Sequence, residues 1–399
     1  MAVKPIYGIG LDAGSARTRL VVCLLERGRM RLLGCGAVRS EGWSKGRIAD
    51  QRAVSDSMLR ALREAEAAAG ISIEAVVVGM GGPTLRGANG RGVLELGMVR
   101  EIEQRDVNRV VNRAARVQLP EDRMLLQLFP QDFVVNDHPG HRDPRKMLAS
   151  RLEIHVHLLT CSILEHNWLI GAVNQAHIEV EESVFEGLAG CYAAVYPEER
   201  REGIAVVDIG AESTELAVYY GDSVQLASTI RVCGDHFTRD LAQGLCLSFE
   251  DAEIVKLEYG SAVAGRCPDN VLVEVPTPEN RDYRHVPRLF INQILEARSA
   301  ELFQFVRAEL GRVGMERGLL GGVFLTGGGA KLPELCDIAE RVLECQTRYG
   351  LAVGIQDWPE EMRDPEWTTA AGLAMYSAKL KKKAADEREA AGWLAKVLR

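Results

Sequence analysis

The chain has 399 residues, 47% of them apolar, enough for two or three packed domains. Its net charge of −8 supplies no global positive field, which argues against a nucleic-acid partner. The nine cysteines are odd in number and lack CxxC spacing, so they read as small buried hydrophobes in a reducing compartment.

Lys4 and Pro5 lead directly into a β run, with no signal peptide and no stretch of about 20 apolar residues further on. The expected place is the cytoplasm or the cytoplasmic face of a membrane. Residues 6–40 read as three strands. Asp50 opens a helix whose apolar positions Val54, Met58, Leu62, Ala65 and Ala69 follow helical spacing, and Gly70 ends it. Ala75 to Met80 is a buried strand, and the alternation of strands and helices indicates an α/β unit.

Residues 84–158 break that pattern. They hold a Gly-rich stretch (Gly87, Gly90, Gly92), a helix from Glu103 to Val117, and strands at Leu125–Val135 and Arg151–Leu159 with a polar turn between them. This is an inserted α+β module. His155 and His157 share one face of a strand, and no third ligand stands at metal spacing, so they read as a satisfied pair. A helix from Ser162 to Gln175 returns to the first unit, and Val184 to Ala194 reads as the crossover helix. A second α/β unit begins near Gly203, with helices at Asp235–Gln243 and Phe249–Glu258 and a strand at Val271–Val275. A long helix, Pro287–Gly311, and a last helix from Pro365 to Leu380 complete it.

Two turns repeat one chemical idea. Gly8-Ile9-Gly10-Leu11-Asp12-Ala13-Gly14-Ser15 and Ile204-Ala205-Val206-Val207-Asp208-Ile209-Gly210-Ala211 each run as a buried strand into Asp-x-Gly, then into another β run. Glycine admits a phosphate close to the backbone, and exposed N–H groups with hydroxyls form an anion-binding concavity. Gly14, Ser15, Ala16 and Arg17 would line one phosphate side; Gly210, Ala211, Glu212, Ser213 and Thr214 the other. Asp12 and Asp208 are placed to hold Mg²⁺ through its waters. A third turn, Gly327-Gly328-Gly329-Ala330-Lys331, follows a strand and would lie against a base or ribose. Glu253 and Lys256 are three apart and share a helix face.

The order of these three turns resembles the actin-like ATPases, and within them the FtsA family of bacterial division proteins, from about Ile6 to Tyr376. Further stretches carry the likeness: Phe129-Pro130-Gln131-Asp132-Phe133, Arg151-Leu152-Glu153-Ile154-His155, Val232-Cys233-Gly234-Asp235-His236 and Ala252-Glu253-Ile254-Val255-Lys256. The resemblance implies an α/β, actin-like (ribonuclease H-like) two-lobed fold with an inserted α+β subdomain. The first lobe would comprise 1–83 and 159–200, the insert 84–158 and the second lobe 201–376. It implies ATP and Mg²⁺ in the cleft, with Glu253 and Lys256 on the ribose and base, and Glu186 orienting the attacking water. It further implies self-association into filaments, binding of the FtsZ C-terminal tail and other division proteins, and a place at the septum. A PilM-like adaptor of type IV pilus assembly is the alternative. The second loop departs from the family pattern: Ala211 and Glu212 stand for two glycines and Glu215 for an aspartate. Nucleotide binding is therefore expected ahead of efficient hydrolysis, a slow ATPase at most.

Beyond Tyr376 come four lysines and a charged spacer, read as a linker over 377–391. Residues 392–399 then place Trp393, Leu394, Val397 and Leu398 on one helical stripe flanked by Lys396. By pattern alone such a helix docks on its own protein or lies in a membrane interface. The resemblance selects membrane targeting to anionic lipid.

Overall fold

The computed structural model describes residues 5–397 except 222, 267, 269 and 278–281, with side chains as far as Asp386. Strand β1 (Ile6–Ala13) is buried from Gly8 onward and pairs antiparallel with β2 (Arg17–Glu26), which pairs with β3 (Arg29–Arg39). A small ladder of β4 (Trp43–Ser44) and β5 (Arg47–Ile48) precedes helix α1 (Gln51–Ala69). Asp50 caps α1 through the N–H groups of Arg52 and Ala53, and Gly70 closes it in the left-handed region, as the sequence predicts. Strand β6 (Ala75–Met80) then lies parallel to β1.

The insert is built from β7 (Arg86–Glu101), α2 (Gln104–Ala115), β8 (Arg123–Val135), β9 (His138–His141) and β10 (Leu148–Ser162). Its sheet runs β7-β10-β8-β9, with α2 against β7 and β10. The Gly-rich stretch, read from sequence only as such, is part of a 16-residue strand. Gly92 leaves room there for the α2 backbone: a Cβ would run into the carbonyl of Val110. Helix α3 (Ile163–Gln175) leads back to β11 (Glu179–Phe185), α4 (Glu186–Ala194) and the single turn α5 (Pro197–Arg200). Val184 and Phe185 thus belong to a strand parallel to β6, and the crossover helix starts only at Glu186.

The second lobe repeats the first. Strands β12 (Ile204–Ile209), β13 (Thr214–Tyr220) and β14 (Ser223–Ile230) form the antiparallel set. Helices α6 (Gly234–Leu245) and α7 (Phe249–Tyr259), the hairpin β15 (Leu272–Pro276) and β16 (Tyr283–Pro287), and helix α8 (Arg288–Arg312) follow. Strand β17 (Gly322–Thr326) is parallel to β12, and after α9 (Leu335–Leu343) β18 (Thr347–Tyr349) is parallel to β17. One sheet therefore reads β11-β6-β1-β2-β3 and the other β18-β17-β12-β13-β14, the same order and directions twice.

The end of the chain departs from the expected boundary at 376. Strand β19 (Ile355–Gln356) adds to the edge of the first sheet beside β3, and helix α10 (Thr368–Val397) packs on β1 and α4. Met362, Trp367, Ala370 and Ala374 share a core with Val21 and Cys23 of the first lobe. The backbone of α10 also continues unbroken through 377–391, where a linker was expected. The side chains of Trp393, Leu394, Lys396 and Val397, and all of Leu398, lie outside the described residues. Cys246 is exposed, against the reading of buried cysteines. Among the described residues no helix is long and apolar enough to cross a membrane.

Candidate functional site

Both Asp-x-Gly turns open onto one cavity of about 390 Å³ between the lobes. Register makes them equivalents. Asp12 lies directly opposite Arg19 across β1 and β2, and Asp208 lies directly opposite Glu215 across β12 and β13. In each turn the glycine two residues on has no room for a Cβ. At Gly14 it would meet Arg17 O at 2.8 Å, and at Gly210 it would meet Ser213 O at 2.9 Å. The close carbonyl reserves each position for glycine.

From the first loop Asp12, Gly14, Ser15, Ala16 and Arg17 line the cavity. From the second, Asp208, Gly210, Ala211 and Ser213 do so. Gly327, Gly328, Gly329 and Lys331 close one wall, with Lys331 held by Asp364 at 2.6 Å. Glu253 and Lys256 form a wall on the second lobe, ion-paired at 2.6 Å, with Lys256 also donating to Thr238 Oγ1 at 2.8 Å. Three expected residues do not line it. Thr214 is buried in β13, and Ala330 is buried beneath the triple-glycine turn. Glu212 turns away from the phosphate side: its carboxylate accepts the N–H of Lys45 at 3.1 Å and of Gly46 at 2.9 Å in the first lobe.

The floor of the cavity is acidic and buried. Burial pushes the Asp12 carboxyl up to about 7, with the Arg19 guanidinium opposing and Asp208 adding to the rise. Asp208 is pushed up by burial as well, although Thr369 donates to it from α10. Burial and the neighbouring Glu215 hold Glu186, at the start of α4, well above the usual carboxylate range. Glu215 reaches about 8 through burial and Asp208, against the N–H of Gly82 that it accepts at 2.8 Å. Arg19 is the buried cation among them, with Nη2 2.5 Å from Glu366 and Nη1 4.0 Å from Asp12. Its buried Nε has no partner.

This donor set fits a hard divalent cation. Buried carboxylates with too little opposing charge favour a proton or a metal. Among the described residues no group of three or more His, Cys, Asp or Glu has chelating geometry. His155 and His157 take no part in this donor set. His155 pairs with Asp132, and His157 bonds Asn89 and accepts the N–H of Ala227.

The sequence pattern described as cell division protein FtsA matches residues 205–372, and that of the SHS2 domain inserted in FtsA matches residues 82–160. The cell division protein FtsA of Pseudomonas aeruginosa is 31% identical over 92% of this chain and 88% of its own length. The chain belongs to the FtsA family. The Bacillus subtilis member is 30% identical over 93% of this chain and 83% of its own length. The fold is shared more widely. The PilM-PilN type IV pilus biogenesis complex superposes with a TM-score of 0.69 at 20% identity, covering 93% of this chain and 98% of that one. MreB 5 of Spiroplasma citri bound to AMPPNP superposes with a TM-score of 0.57 at 14% identity, covering 95% and 98%. These likenesses establish the actin-like fold of this FtsA-family chain.

The cavity includes residues that the motif reading passed over. Arg19 stands seven positions after Asp12, as Glu215, already noted as a departure from the family pattern, stands after Asp208, so hairpin register was the available signal for Arg19. Glu366 and Thr369 had none, because they reach the cavity from elements distant in sequence, and Asp235 stood only within a stretch that carries the family likeness.

Proposed function

We propose that this chain binds ATP with Mg²⁺ between its lobes and serves as a self-associating scaffold of cell division. The observation that supports it is the pair of equivalent Asp-x-Gly hairpins on one cavity in an FtsA-family chain. Ser15, Ala16 and Arg17 would meet the phosphates from the first lobe, Gly210, Ala211 and Ser213 from the second. Glu253, Lys256 and the triple-glycine turn would hold the ribose and base. Asp12 and Asp208 would hold Mg²⁺ through water, and the ion would supply charge neutralisation at the phosphates.

Glu186 would orient the attacking water. Burial and the neighbouring Glu215 raise the pKa of Glu186, which disfavours the ionised form that a general base needs. Slow turnover follows from that, and occupancy of the cleft, more than hydrolysis, would set the conformational state. The scaffold would bind the FtsZ C-terminal tail through the second lobe, recruit other division proteins, and rest on the cytoplasmic membrane at the septum through Trp393, Leu394, Lys396, Val397 and Leu398. Filament formation would add avidity to a short anchor. The PilM-like alternative draws only on the shared fold.

The test is co-sedimentation with anionic vesicles of the full chain and of one ending at Ala391, each with and without ATP·Mg²⁺. The full chain should pellet alone, and more so with ATP. If neither pellets, the membrane anchor is wrong; if ATP has no effect, the coupling is wrong.

A further inference from the structure

A second cavity, of about 670 Å³, adjoins the nucleotide cleft across the second loop. Ser213 lines both, whereas Glu212 lines only this one. Three parts of the molecule build it: the first lobe with Lys45 and Arg47, the start of the insert with Arg86, and the second lobe with Arg231, Arg239 and Arg312. Against these six cations stand two carboxylates, Glu212 and Glu309.

The cations are unevenly neutralised. Arg47 pairs with Glu165 at 3.2 Å, Arg239 with Asp235 at 3.6 Å and Arg312 with Glu309 at 2.9 Å. Arg86 donates to the main-chain carbonyls of Pro83 and Leu85, which carry no charge to match it. The side chains of Lys45 and Arg231 have no ion-pair or hydrogen-bond partner among the described residues. Glu212 is already engaged by two main-chain N–H groups. A groove with unmatched positive charge is thus set in a protein of net charge −8. Its walls also carry Pro83, Leu226 and Ile230, and no Phe, Tyr or Trp lines it.

The geometry points to an acidic peptide segment of a partner protein as the occupant. Carboxylates would meet Lys45, Arg86 and Arg231, and an apolar side chain would rest against Leu226 and Ile230. A phosphate ion leaves most of such a volume empty, since sites of roughly 300–1,000 Å³ hold ligands many times larger. A single-stranded nucleic acid would want aromatic platforms for its bases, and the groove has none. Because both lobes and the insert build the groove, it is complete only when the lobes are closed. Peptide and nucleotide therefore favour the same state and each raises affinity for the other. That coupling, unlike the groove itself, rests on the nucleotide reading above.

The test is fluorescence anisotropy on the full chain with a labelled peptide of about ten residues alternating Glu and Leu, against a Lys–Leu counterpart. The Glu–Leu peptide should bind, weaken with salt, and lose about tenfold or more in affinity in the Lys45→Gln, Arg231→Gln double variant. ATP·Mg²⁺ should tighten it about fivefold or more. Equal binding of the Lys–Leu peptide, or unchanged affinity in the double variant, overturns the proposal. So does full displacement by tripolyphosphate, by oligothymidylate or by anionic vesicles at matched charge, each naming a different occupant. Loss of self-association in the double variant without any peptide binding overturns it too, and assigns the groove to a second copy. Peptide binding in a chain that does not bind ATP leaves the groove standing and removes the nucleotide reading; the reverse result removes the groove.

Discussion

Glu212 of the second lobe accepts the N–H of Gly46 of the first at 2.9 Å, so one carboxylate closes the molecule across its cleft. The same carboxylate takes the N–H of Lys45. A residue that the sequence placed on the phosphate side is instead a latch between the lobes. Glu212→Ala removes both bonds, each to a charged acceptor and worth about 1.5–3 kcal/mol. The cleft should open more readily, and ATP should dissociate faster, with affinity down about tenfold. Stopped-flow release of a fluorescent ATP analogue checks this. A variant with unchanged release shows that the latch does not govern closure.

The acidic floor predicts an inverted pH dependence for the nucleotide-free protein. Asp12 rises from 3.8 to about 7 and Glu215 from 4.5 to about 8 on folding. The folded state therefore keeps protons that the unfolded chain has released. The stability these groups contribute is full below about pH 4 and is lost as pH rises through their folded values. The denaturation midpoint should be higher near pH 5 than near pH 8. Mg²⁺ with ATP should stabilise most at the higher pH, where the cation replaces protons. Asp12→Asn should flatten the slope and abolish the Mg²⁺ requirement for nucleotide affinity, both readable by thermal shift.

His157 carries the opposite sign. It is buried in β10 of the insert, and its Nε2 accepts the N–H of Ala227 on β14 of the second lobe at 3.0 Å. Burial lowers its pKa below 6.5. Its contribution is present above the unfolded value and is lost as pH falls through the folded one. His157→Phe leaves the buried N–H of Ala227 unpaired, at about 1–3 kcal/mol. Hydrogen exchange at Ala227 should accelerate in the variant, and in the wild type as pH falls through the lowered pKa of His157. If neither change is seen, the insert is not anchored to the second lobe through this bond.

Gly372 sets how closely α10 crosses α4. A Cβ there would drive into the carbonyl of Ala189. Gly372→Ala should destabilise the chain by about 1–3 kcal/mol, from overpacking alone. Urea denaturation measures it. A neutral result would mean that the two helices slide apart at no cost, and that the crossing is not a fixed pivot.

Much of the architecture was legible because it is local and periodic. Asp50 and Gly70 delimit α1 by the hydrogen bonds and backbone angles that a helix end requires. The apolar runs ending at Asp12 and Asp208 are buried strands, and the glycines after them make the same turn twice. Residues 84–158 stood out by pattern. The misreadings arose where local signals are weak. The Gly-rich stretch became β7 because a packed helix, α2, requires the missing side chains of a strand at Gly92.

The sequence by itself determined the two hairpins, their aspartates and the glycine turn, since each depends on neighbours within a few residues. Only the tertiary structure decided where Glu212 points, that Arg19 bonds Glu366 347 positions away, and that α10 belongs to the first lobe. Those outcomes depend on which surfaces meet when both lobes close. The charge and reach of a side chain say what it can bond, and the fold alone says what comes within its reach.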